Sequence, residues 1–177
     1  WLLEHTMSAN QDLNAEQKQA MAKMMTKDSM MWTTLGGVLI GTPIVFALYA
    51  LYYLIASKIM GSAITYGKWF GFSIWASVPT LIGVPLMALQ IVTGKGQVAM
   101  ESLNMLSLNF LLTNLPSDHA WAGLMNNLSL TTFWTAFLTY VGLRVWTGRS
   151  VASCAIATAL PYVVIYGIWI AKLMFFK

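Results

Sequence analysis

The stretch Phe70–Val92, FGFSIWASVPTLIGVPLMALQIV, decides the fold class of this chain. It runs for 23 residues without a charge, which is long enough for a helix to cross a bilayer at about 1.5 Å per residue. Pro79 and Pro85 each remove a backbone donor, so the carbonyls of Trp75 and Leu81 lose their helical partners. Lipid offers no replacement partner. We therefore predict that this helix lies against other helices, with nearby hydroxyl side chains supplying hydrogen bonds.

The composition indicates a membrane protein. Of the 177 residues, 58% are hydrophobic and 9% are charged, whereas a soluble domain carries about 25% charged residues. The net charge is +4, but most basic residues flank apolar runs, which is typical of anchoring at a membrane edge and not of a nucleic-acid interface. Cys154 is the one cysteine of the sequence, so an internal disulfide is excluded. Because it lies in an apolar run, we predict a small buried residue.

Four apolar runs predict an all-α bundle of four transmembrane helices without strands. The predicted spans are residues 32–56, 70–92, 128–145 and 151–176, and with the interfacial segment 93–127 they form one membrane domain, 32–177. The preceding segment, 1–31, is polar and amphipathic. Since Trp1–Leu3 resembles the end of an earlier apolar helix, we expect a further span upstream.

Short interfacial helices are predicted outside the spans. Asn14 is the expected N-cap of a helix over Ala15–Lys27. Apolar residues recur every three or four positions over Met100–Phe110, which predicts a second helix at the membrane surface. Ser117 is the expected cap of a short helix through Trp121–Met125.

Small residues and prolines mark the faces where we predict that helices pack together. Gly37 and Gly41 form a GxxxG step in the first span, which allows another helix to approach closely. Pro43 and Pro161 lie near the middle of the first and last spans. We predict that the proline-bearing helices form the packed core of the bundle, with Pro79 facing protein.

Polar and aromatic side chains within the spans predict further contacts. Tyr49, Tyr52 and Tyr53 favour an aromatic belt at one membrane surface. The third span carries a stripe of threonines suited to hydrogen bonds between helices. These threonines are Thr131, Thr132, Thr135 and Thr139.

Two patterns in the sequence suggest catalysis or metal binding, but the surrounding residues do not support either function. Ser117-Asp118-His119 contains the residue types of a hydrolase triad, but consecutive residues on a turn diverge and cannot form the required line of hydrogen bonds. Five methionines in residues 21–31 match the soft ligands of copper(I). Because no cysteine or histidine lies nearby to support a metal site, an adaptable apolar face explains these methionines better. We predict no catalytic, cofactor-binding or metal-binding residue.

Five short patterns, taken in order, resemble the bacterial branch of the Yip1 domain family. They are Asn10–Met25, Trp75–Pro79, Asn109–Pro116, Phe133-Trp134 with Tyr140–Gly142 behind it, and Gly148–Ser150 followed by Pro161-Tyr162. The similarity covers most of Asn10–Pro161. One departure is that many relatives have an aspartate before the Phe-Trp pair, where this chain has Ser129, so any role of that carboxylate is in question here.

The patterns and the resemblance together single out residues expected to act in helix packing. These residues are Gly37, Gly41, Pro43, Trp75, Ser77, Pro79, Pro85, Phe133, Trp134, Gly142, Pro161 and Tyr162. The resemblance implies a multi-pass protein of the bacterial inner membrane. Eukaryotic Yip1 proteins are linked to vesicle traffic and Rab GTPases, which a bacterium lacks, so the resemblance supports fold and location better than activity.

Two functions from different classes fit the sequence. The first is a non-enzymatic scaffold, adaptor or accessory subunit, whose partners are the lipid bilayer and other membrane subunits or a second copy, without nucleic acid or cofactor. The alternative is a small transporter or channel that uses proline-broken helices. Ion and proton paths usually place ionisable residues within the membrane, and the middle of each predicted span lacks them. A membrane enzyme has least support, because no nucleophile has a base in its span.

The distribution of basic residues predicts the orientation. Four spans place the two short links, Ser57–Trp69 and Trp146–Ser150, on one side of the membrane. Both links are basic and contain no acid. The other side has more lysines, but they are spread over longer polar segments that hold all six acids. Because the positive-inside bias is strongest in short loops, we predict that the short links are cytoplasmic.

Overall fold

The computed structural model describes residues 14–24, 26–94, 98 and 103–175. Its elements, in chain order, are α1 (Ala15–Met24), α2 (Lys27–Gly36), a first π turn (Gly37–Gly41), α3 (Thr42–Ile59), α4 (Tyr66–Ala76), a 3-10 turn (Val78–Ile82), α5 (Gly83–Thr93), a second π turn (Asn109–Thr113), α6 (Ala122–Asn127), α7 (Leu130–Thr147) and α8 (Val151–Phe175). Within these ranges, extended pairing is limited to one antiparallel bridge between Ser107 and Ser129. The prediction of an all-α bundle is confirmed.

Three helical stretches in the described residues are long and apolar enough to cross a membrane. They are Asp28–Ile59, Tyr66–Thr93 and Val151–Phe175. The chain is therefore an integral membrane helix bundle. Helix α7 occupies the place of the predicted span 128–145, but its threonines and Arg144 make it less apolar, and it is not among the three. The count of four spans stays a prediction.

The first helix is shorter than the sequence suggested. The Asn14 side chain accepts a hydrogen bond from the Gln17 backbone N–H at 2.8 Å, and the Gln17 side chain accepts from the Asn14 N–H at 3.0 Å. This capping box confirms Asn14 as the N-cap. However, α1 ends at Met24 and not at Lys27. The reason is that Thr26 has an extended backbone and caps the next helix, α2, with its hydroxyl.

The first π turn carries the first span past its proline. Here the Thr42 backbone N–H bonds to the Gly37 carbonyl, five residues earlier. Pro43 follows directly, and it has no N–H for the carbonyl of Leu39 and would crowd that carbonyl in a regular α-helix. A π turn is wider than an α turn and commonly marks such irregularities. The helix therefore continues without a break.

The second span breaks once, between α4 and α5. The Ser77 N–H and hydroxyl donate to the Ile74 carbonyl at 3.1 and 2.7 Å, and the Thr80 N–H and hydroxyl donate to the Ser77 carbonyl at 2.9 and 2.7 Å. Pro79 is buried in the 3-10 turn, which packs against α7. The second interruption expected at Pro85 is wrong. Pro85 lies in the first turn of α5, where a helical N–H has no partner to lose.

The packed core lies where α3, α4, α7 and α8 converge near the short links. Its largest members are Tyr53, Trp69, Phe72, Leu143 and Cys154. The Trp69 ring is fully buried, and its Nε1–H donates to the Ser57 hydroxyl at 3.0 Å. The Ser57 hydroxyl in turn donates to the Leu54 carbonyl at 2.9 Å. The predicted burial of Cys154 is confirmed.

Both short links lie at the same end of the bundle, as the sequence predicted. The Arg149 guanidinium in the second link donates to the Gly61 carbonyl in the first at 2.7 Å. The Arg144 guanidinium donates to the Arg149 carbonyl at 2.9 Å. Gly61 has a φ of +75°, and a Cβ there would lie 2.7 Å from the Arg149 Nη2 atom. Glycine is therefore required for this contact.

Backbone pairing replaces the interfacial helix expected over Met100–Phe110. The Leu108 N–H donates to the Leu128 carbonyl at 2.7 Å, and the Leu130 N–H donates to the Leu106 carbonyl at 2.9 Å. Residues 103–106 form turns and not a helix. The start of the predicted helix lies outside the described residues. The expectation is wrong for residues 103–107, where backbone groups bond across to the start of α7. Residues 108–110 are helical and belong to the second π turn and its start.

The short helix near Pro116 starts later than predicted. Helix α6 begins at Ala122, with Trp121 at its N-cap position and without a side-chain cap. Ser117 is exposed five residues before the helix and does not cap it. The nearest polar contact is local, since the Trp121 N–H donates to the His119 Nδ1 atom at 3.2 Å.

Candidate functional site: a hydroxyl-lined cavity

A cavity of about 270 Å³ lies between α3, α4, α7 and α8. It begins beside the packed core and extends away from the short links. From α3, α4 and the 3-10 turn it is lined by Phe46, Tyr49, Tyr53, Ser73, Ala76, Ser77 and Thr80. From the other side it is lined by Asn127, Thr132, Thr135, Thr139, Tyr162 and Tyr166. Most of these side chains carry a hydroxyl group, and none carries a charge. The cavity is therefore electrically neutral, and most of its wall is apolar.

Several of the lining hydroxyls already donate to their own helix. The Ser73 hydroxyl donates to the Trp69 carbonyl at 2.9 Å, and those of Ser77 and Thr80 donate one turn back in the same way. A hydroxyl has one proton but two lone pairs. These oxygens can therefore still accept a hydrogen bond from a group inside the cavity.

Thr135 differs from its neighbours because its buried Oγ1 atom has no protein hydrogen-bond partner. A buried polar group without a partner costs about 1–3 kcal/mol. The Thr132 hydroxyl, one turn earlier on the same face, lies 2.9 Å from the Ser129 hydroxyl, which caps α7. Thr135 is therefore a buried hydroxyl beside the cavity, and its oxygen has almost no accessible surface.

A hydrogen bond between side chains closes the far end of the cavity. The Tyr166 hydroxyl on α8 donates to the Asn127 Oδ1 atom at the end of α6, at 2.9 Å. Tyr162 stacks on Tyr166 with ring centroids 6.5 Å apart. The two tyrosines form one wall because residues four apart share a helix face.

The Tyr52 hydroxyl joins α3 to α8 beside the cavity. It donates to the Ala157 carbonyl at 2.6 Å. This is the carbonyl that loses its helical partner because Pro161 has no N–H. The sequence predicted an aromatic belt at the membrane surface for Tyr49, Tyr52 and Tyr53, and that prediction is wrong for Tyr53. Tyr53 is 3% exposed within the core, and Tyr52 completes the hydrogen bonding of a proline-bearing helix.

Two apolar grooves adjoin the cavity. The α3/α8 groove, about 300 Å³, is lined by Val45, Leu48, Tyr49, Tyr52, Pro161 and Ile165. The α7/α8 groove, about 360 Å³, is lined by Leu128, Thr132, Phe133, Ala136, Tyr140, Ala155, Thr158, Ala159, Tyr162, Val163 and Tyr166. Tyr49 belongs to the cavity and to the first groove, while Thr132, Tyr162 and Tyr166 belong to the cavity and to the second. The cavity therefore shares a wall with an apolar groove on each side of α8.

The structure places the residues singled out for helix packing in three groups. Ser77 and Tyr162 line the cavity, and Pro161 and Phe133 line the grooves. Gly142 and Pro79 lie at helix contacts. The remaining residues lie outside these contacts: Gly37, Gly41, Pro43, Trp75, Pro85 and Trp134.

Gly142 allows α4 and α7 to cross closely. A Cβ at this position would clash with the ring of Phe72, whose Cζ atom would be 2.7 Å away. Trp75, three residues after Phe72, is 76% exposed and points away from the crossing. The family pattern therefore includes residues of the outer surface as well as of the packed interior.

Sequence reasoning did not predict that a cavity forms. The threonine stripe of α7 was recognised, Ser77 and Tyr162 were singled out for helix packing, and Tyr49 was assigned to an aromatic belt, but Tyr166 and Asn127 were not assigned any role. A usable signal was present in Tyr162 and Tyr166, since residues four apart share a helix face. What the sequence does not provide is the direction in which each face points.

No metal centre emerges from the part of the chain that the structure describes. Within it, no group of three or more histidine, cysteine, aspartate or glutamate side chains comes together. Of the five methionines on which the copper(I) hypothesis rested, the side chains of Met21, Met24 and Met25 lie outside the described residues, whereas Met30 is half-buried and Met31 is exposed on α2.

Comparison with known proteins identifies the family. The family model described as the Yip1 domain matches residues 6–172, which is nearly the whole chain. No curated protein and no solved structure matches the chain. The family match agrees with the resemblance of the short patterns and with the helical membrane bundle. The chain belongs to the Yip1 domain family.

Proposed function

We propose that this chain is a non-enzymatic scaffold, adaptor or accessory subunit of a larger complex in a bacterial inner membrane. Its partners are transmembrane helices of other subunits or of a second copy. The observation that carries the proposal is the open glycine face of the first span at Gly37 and Gly41. A Cβ at either glycine would meet no atom within 4 Å.

The first span extends beyond the packed bundle on the side of this face. The main contacts of α2 and of the first π turn are with each other and with α3, which are parts of the same helix. Val38 and Ile40, which flank Gly37 and Gly41, are 57% and 66% exposed, so the surface around the glycines is apolar. Helices associate in lipid through close backbone approach at small residues, and a GxxxG step is a recurrent motif of this kind. These features suit a partner helix.

The chemistry of the cavity supports a role without catalysis. Its hydroxyls include Ser73 and Ser77, but none of its lining residues is a histidine, aspartate, glutamate or lysine that would activate a hydroxyl nucleophile. The Yip1 family is likewise not known as enzymatic. The bundle is therefore better suited to bind other membrane subunits than to catalyse a reaction.

Recovery of partners from native membranes tests the proposal. The variant carrying Gly37→Leu and Gly41→Leu fills the open face, and we expect it to recover at least about tenfold less partner protein, or less of a differently tagged second copy, than wild type. Tenfold corresponds to about 1.4 kcal/mol. The matched control is Gly167→Leu in α8, which also has no atom within 4 Å of its Cβ position.

Two results would contradict the proposal. If the double variant recovers partners as well as Gly167→Leu does, the glycine face is not the binding surface and the proposal fails. Loss of partners in the control alone would have the same consequence. Both variants must keep the elution volume of wild type in detergent, so that loss of folding is not mistaken for loss of binding.

A small transporter is the second candidate, and one observation favours it. The 3-10 turn Val78–Ile82 interrupts the second span next to the cavity, and broken helices form substrate sites in many transporters. The neutral lining favours an uncharged polar solute over an ion. Proteoliposomes should then take up such a solute faster than protein-free liposomes, and Thr135→Phe should slow the uptake. Equal rates with and without protein would exclude this candidate for the solute used.

A further inference from the structure

We propose that the short-link end of the bundle binds the phosphate of an anionic membrane phospholipid through Arg144 and Arg149. Lys58 and Lys68 lie at the same end, and the four side chains together form the basic end of the bundle. The inference does not depend on the cavity or on the glycine face of the first span. It rests on how the two guanidinium groups are held, on the lack of acids in the links, and on the apolar surface beside them.

Backbone carbonyls hold both guanidinium groups in one place. The Arg149 Nη2 atom donates to the Gly61 carbonyl at 2.7 Å, and the Arg144 Nη1 atom donates to the Arg149 carbonyl at 2.9 Å. The turn at Gly61 is itself fixed, because the Gly61 N–H donates to the Lys58 carbonyl at 2.9 Å. A guanidinium group has five N–H donors. Among the residues that the structure describes, the remaining donors of both side chains have no partner, so they can bind a further acceptor.

The basic end has no acid in its own links to balance its charge. Neither short link contains an aspartate or a glutamate. Asp28 begins the helical stretch that ends at Ile59, so it lies roughly 45 Å from that end at 1.5 Å per residue. Asp118 precedes α6 and the start of α7, whereas Arg144 lies in the last turn of α7. Positive charges held close together repel one another, so an anion from outside the chain would stabilise this arrangement.

Exposed apolar side chains place the basic end at the edge of the bilayer. Ile59 and Val145, each adjacent to a basic residue, are 81% and 74% exposed. Trp146 is also exposed, and its ring centroid lies 5.6 Å from that of Trp69. Tryptophan is enriched at the level of the lipid headgroups, and long basic side chains at helix ends extend to the same level. The acceptors at this depth are lipid phosphates, whereas a soluble anion would leave the apolar neighbours uncovered.

The charge of the basic end selects an anionic headgroup over a zwitterionic one. Guanidinium groups bind phosphate oxygens through pairs of parallel hydrogen bonds. A zwitterionic headgroup brings its own cation, which the basic side chains repel. An anionic headgroup such as that of phosphatidylglycerol brings none, and each basic residue near the membrane surface adds to its attraction.

Native mass spectrometry of the purified chain in a neutral detergent tests this assignment. The delipidated protein is titrated with phosphatidylglycerol or with phosphatidylcholine of the same acyl chains, and the lipid-bound fraction is measured. We expect phosphatidylglycerol to reach half-saturation at a concentration at least about tenfold lower than phosphatidylcholine. Inorganic phosphate at the concentration of the lipid should not displace phosphatidylglycerol.

A pair of charge-removing variants locates the site. The variant with Arg144→Gln and Arg149→Gln should weaken phosphatidylglycerol binding by about fivefold per arginine, the equivalent of about 1 kcal/mol for each basic residue. The matched control is Lys23→Gln with Lys172→Gln, which removes the same charge away from the links. Lys23 lies on α1, before the first span, and Lys172 lies in the last turn of α8, which begins at the second link. The control should bind phosphatidylglycerol like wild type.

Three results would overturn the proposal. They are equal binding of the two lipids, displacement of phosphatidylglycerol by inorganic phosphate, which would assign the site to a soluble anion, and a loss of binding in the arginine variant no larger than in the control. If the arginine variant fails to fold, the variant with Lys58→Gln and Lys68→Gln takes its place, since both side chains are exposed. It should also bind phosphatidylglycerol more weakly than the control does, and equal binding would overturn the proposal.

Discussion

Single polar atoms determine how the helices of this bundle meet. The Ser57 hydroxyl accepts the only N–H of the buried Trp69 ring, so the ring can occupy the core without an unsatisfied donor. The Tyr52 hydroxyl supplies the Ala157 carbonyl that Pro161 leaves free. In both pairs, a side-chain hydroxyl supplies the hydrogen-bond partner that the other polar group would lack in an environment without water.

A double-mutant cycle between Tyr52 and Pro161 tests the hydrogen bond from the Tyr52 hydroxyl to the Ala157 carbonyl. Tyr52→Phe should lower the free energy of unfolding by about 0.5–1.5 kcal/mol in the wild-type background. In the Pro161→Ala background, residue 161 regains an N–H that can bond to the Ala157 carbonyl, so the same change should cost less. Denaturant unfolding in detergent micelles measures both costs. An equal cost in the two backgrounds would show that Tyr52 and Pro161 are not coupled.

Helix crossings depend on positions where a side chain has no room, as at Gly142. Gly142→Ala should push the Phe72 ring out of place and lower the free energy of unfolding by about 1–3 kcal/mol, the usual cost of overpacking. Gly167→Ala is the control, because no atom lies within 4 Å of its Cβ position and alanine favours a helix. The melting temperatures in detergent compare the two. A Gly142→Ala melting temperature at or above that of Gly167→Ala would contradict the close crossing of α4 and α7.

Element boundaries were predictable where hydrophobic length or a proline fixed them. The apolar runs predicted the three long helical stretches. Pro79 predicted the break in the second span. The sequence did not show that Pro85 leaves α5 uninterrupted, because that depends on the residue at which the helix restarts. It also misassigned residues 103–106 as helical. Their spacing was helical, but backbone pairing of Leu106 and Leu108 with the start of α7 prevailed, and such pairing has no local sequence signal.

The cavity is a property of the whole molecule and could not be predicted from any one helix. The threonine stripe of α7 was visible in the sequence, but its convergence with Tyr49 and Tyr162 requires α3 and α8 to meet. The contact that brings them together, from Tyr52 to Ala157, joins residues 105 positions apart. Side-chain direction relative to distant helices is set by tertiary packing and not by periodicity.

The orientation of the whole bundle is a further prediction. The short links carry Lys58, Lys68 and Arg149, and we expect this end to be cytoplasmic. After Cys154→Ala, single cysteines are introduced as Ser62→Cys and Ser117→Cys, and intact cells are treated with a membrane-impermeant thiol reagent. Ser117→Cys should be labelled and Ser62→Cys protected. The reverse pattern would show that the orientation is inverted, and lysed cells control for reactivity of both cysteines.

The central claim is that the open glycine face of the first span binds another transmembrane helix, and photocrosslinking in native membranes tests it most directly. A photoreactive amino acid replaces Thr34, which lies three residues before Gly37 on the same helix face, or Leu39, which points to the opposite side. Both positions are exposed, so their access to lipid is comparable. We predict a discrete crosslinked band, to another subunit or to a second copy, from position 34 and not from position 39. Absence of a protein crosslink at position 34, or equal crosslinking at both positions, would contradict the account.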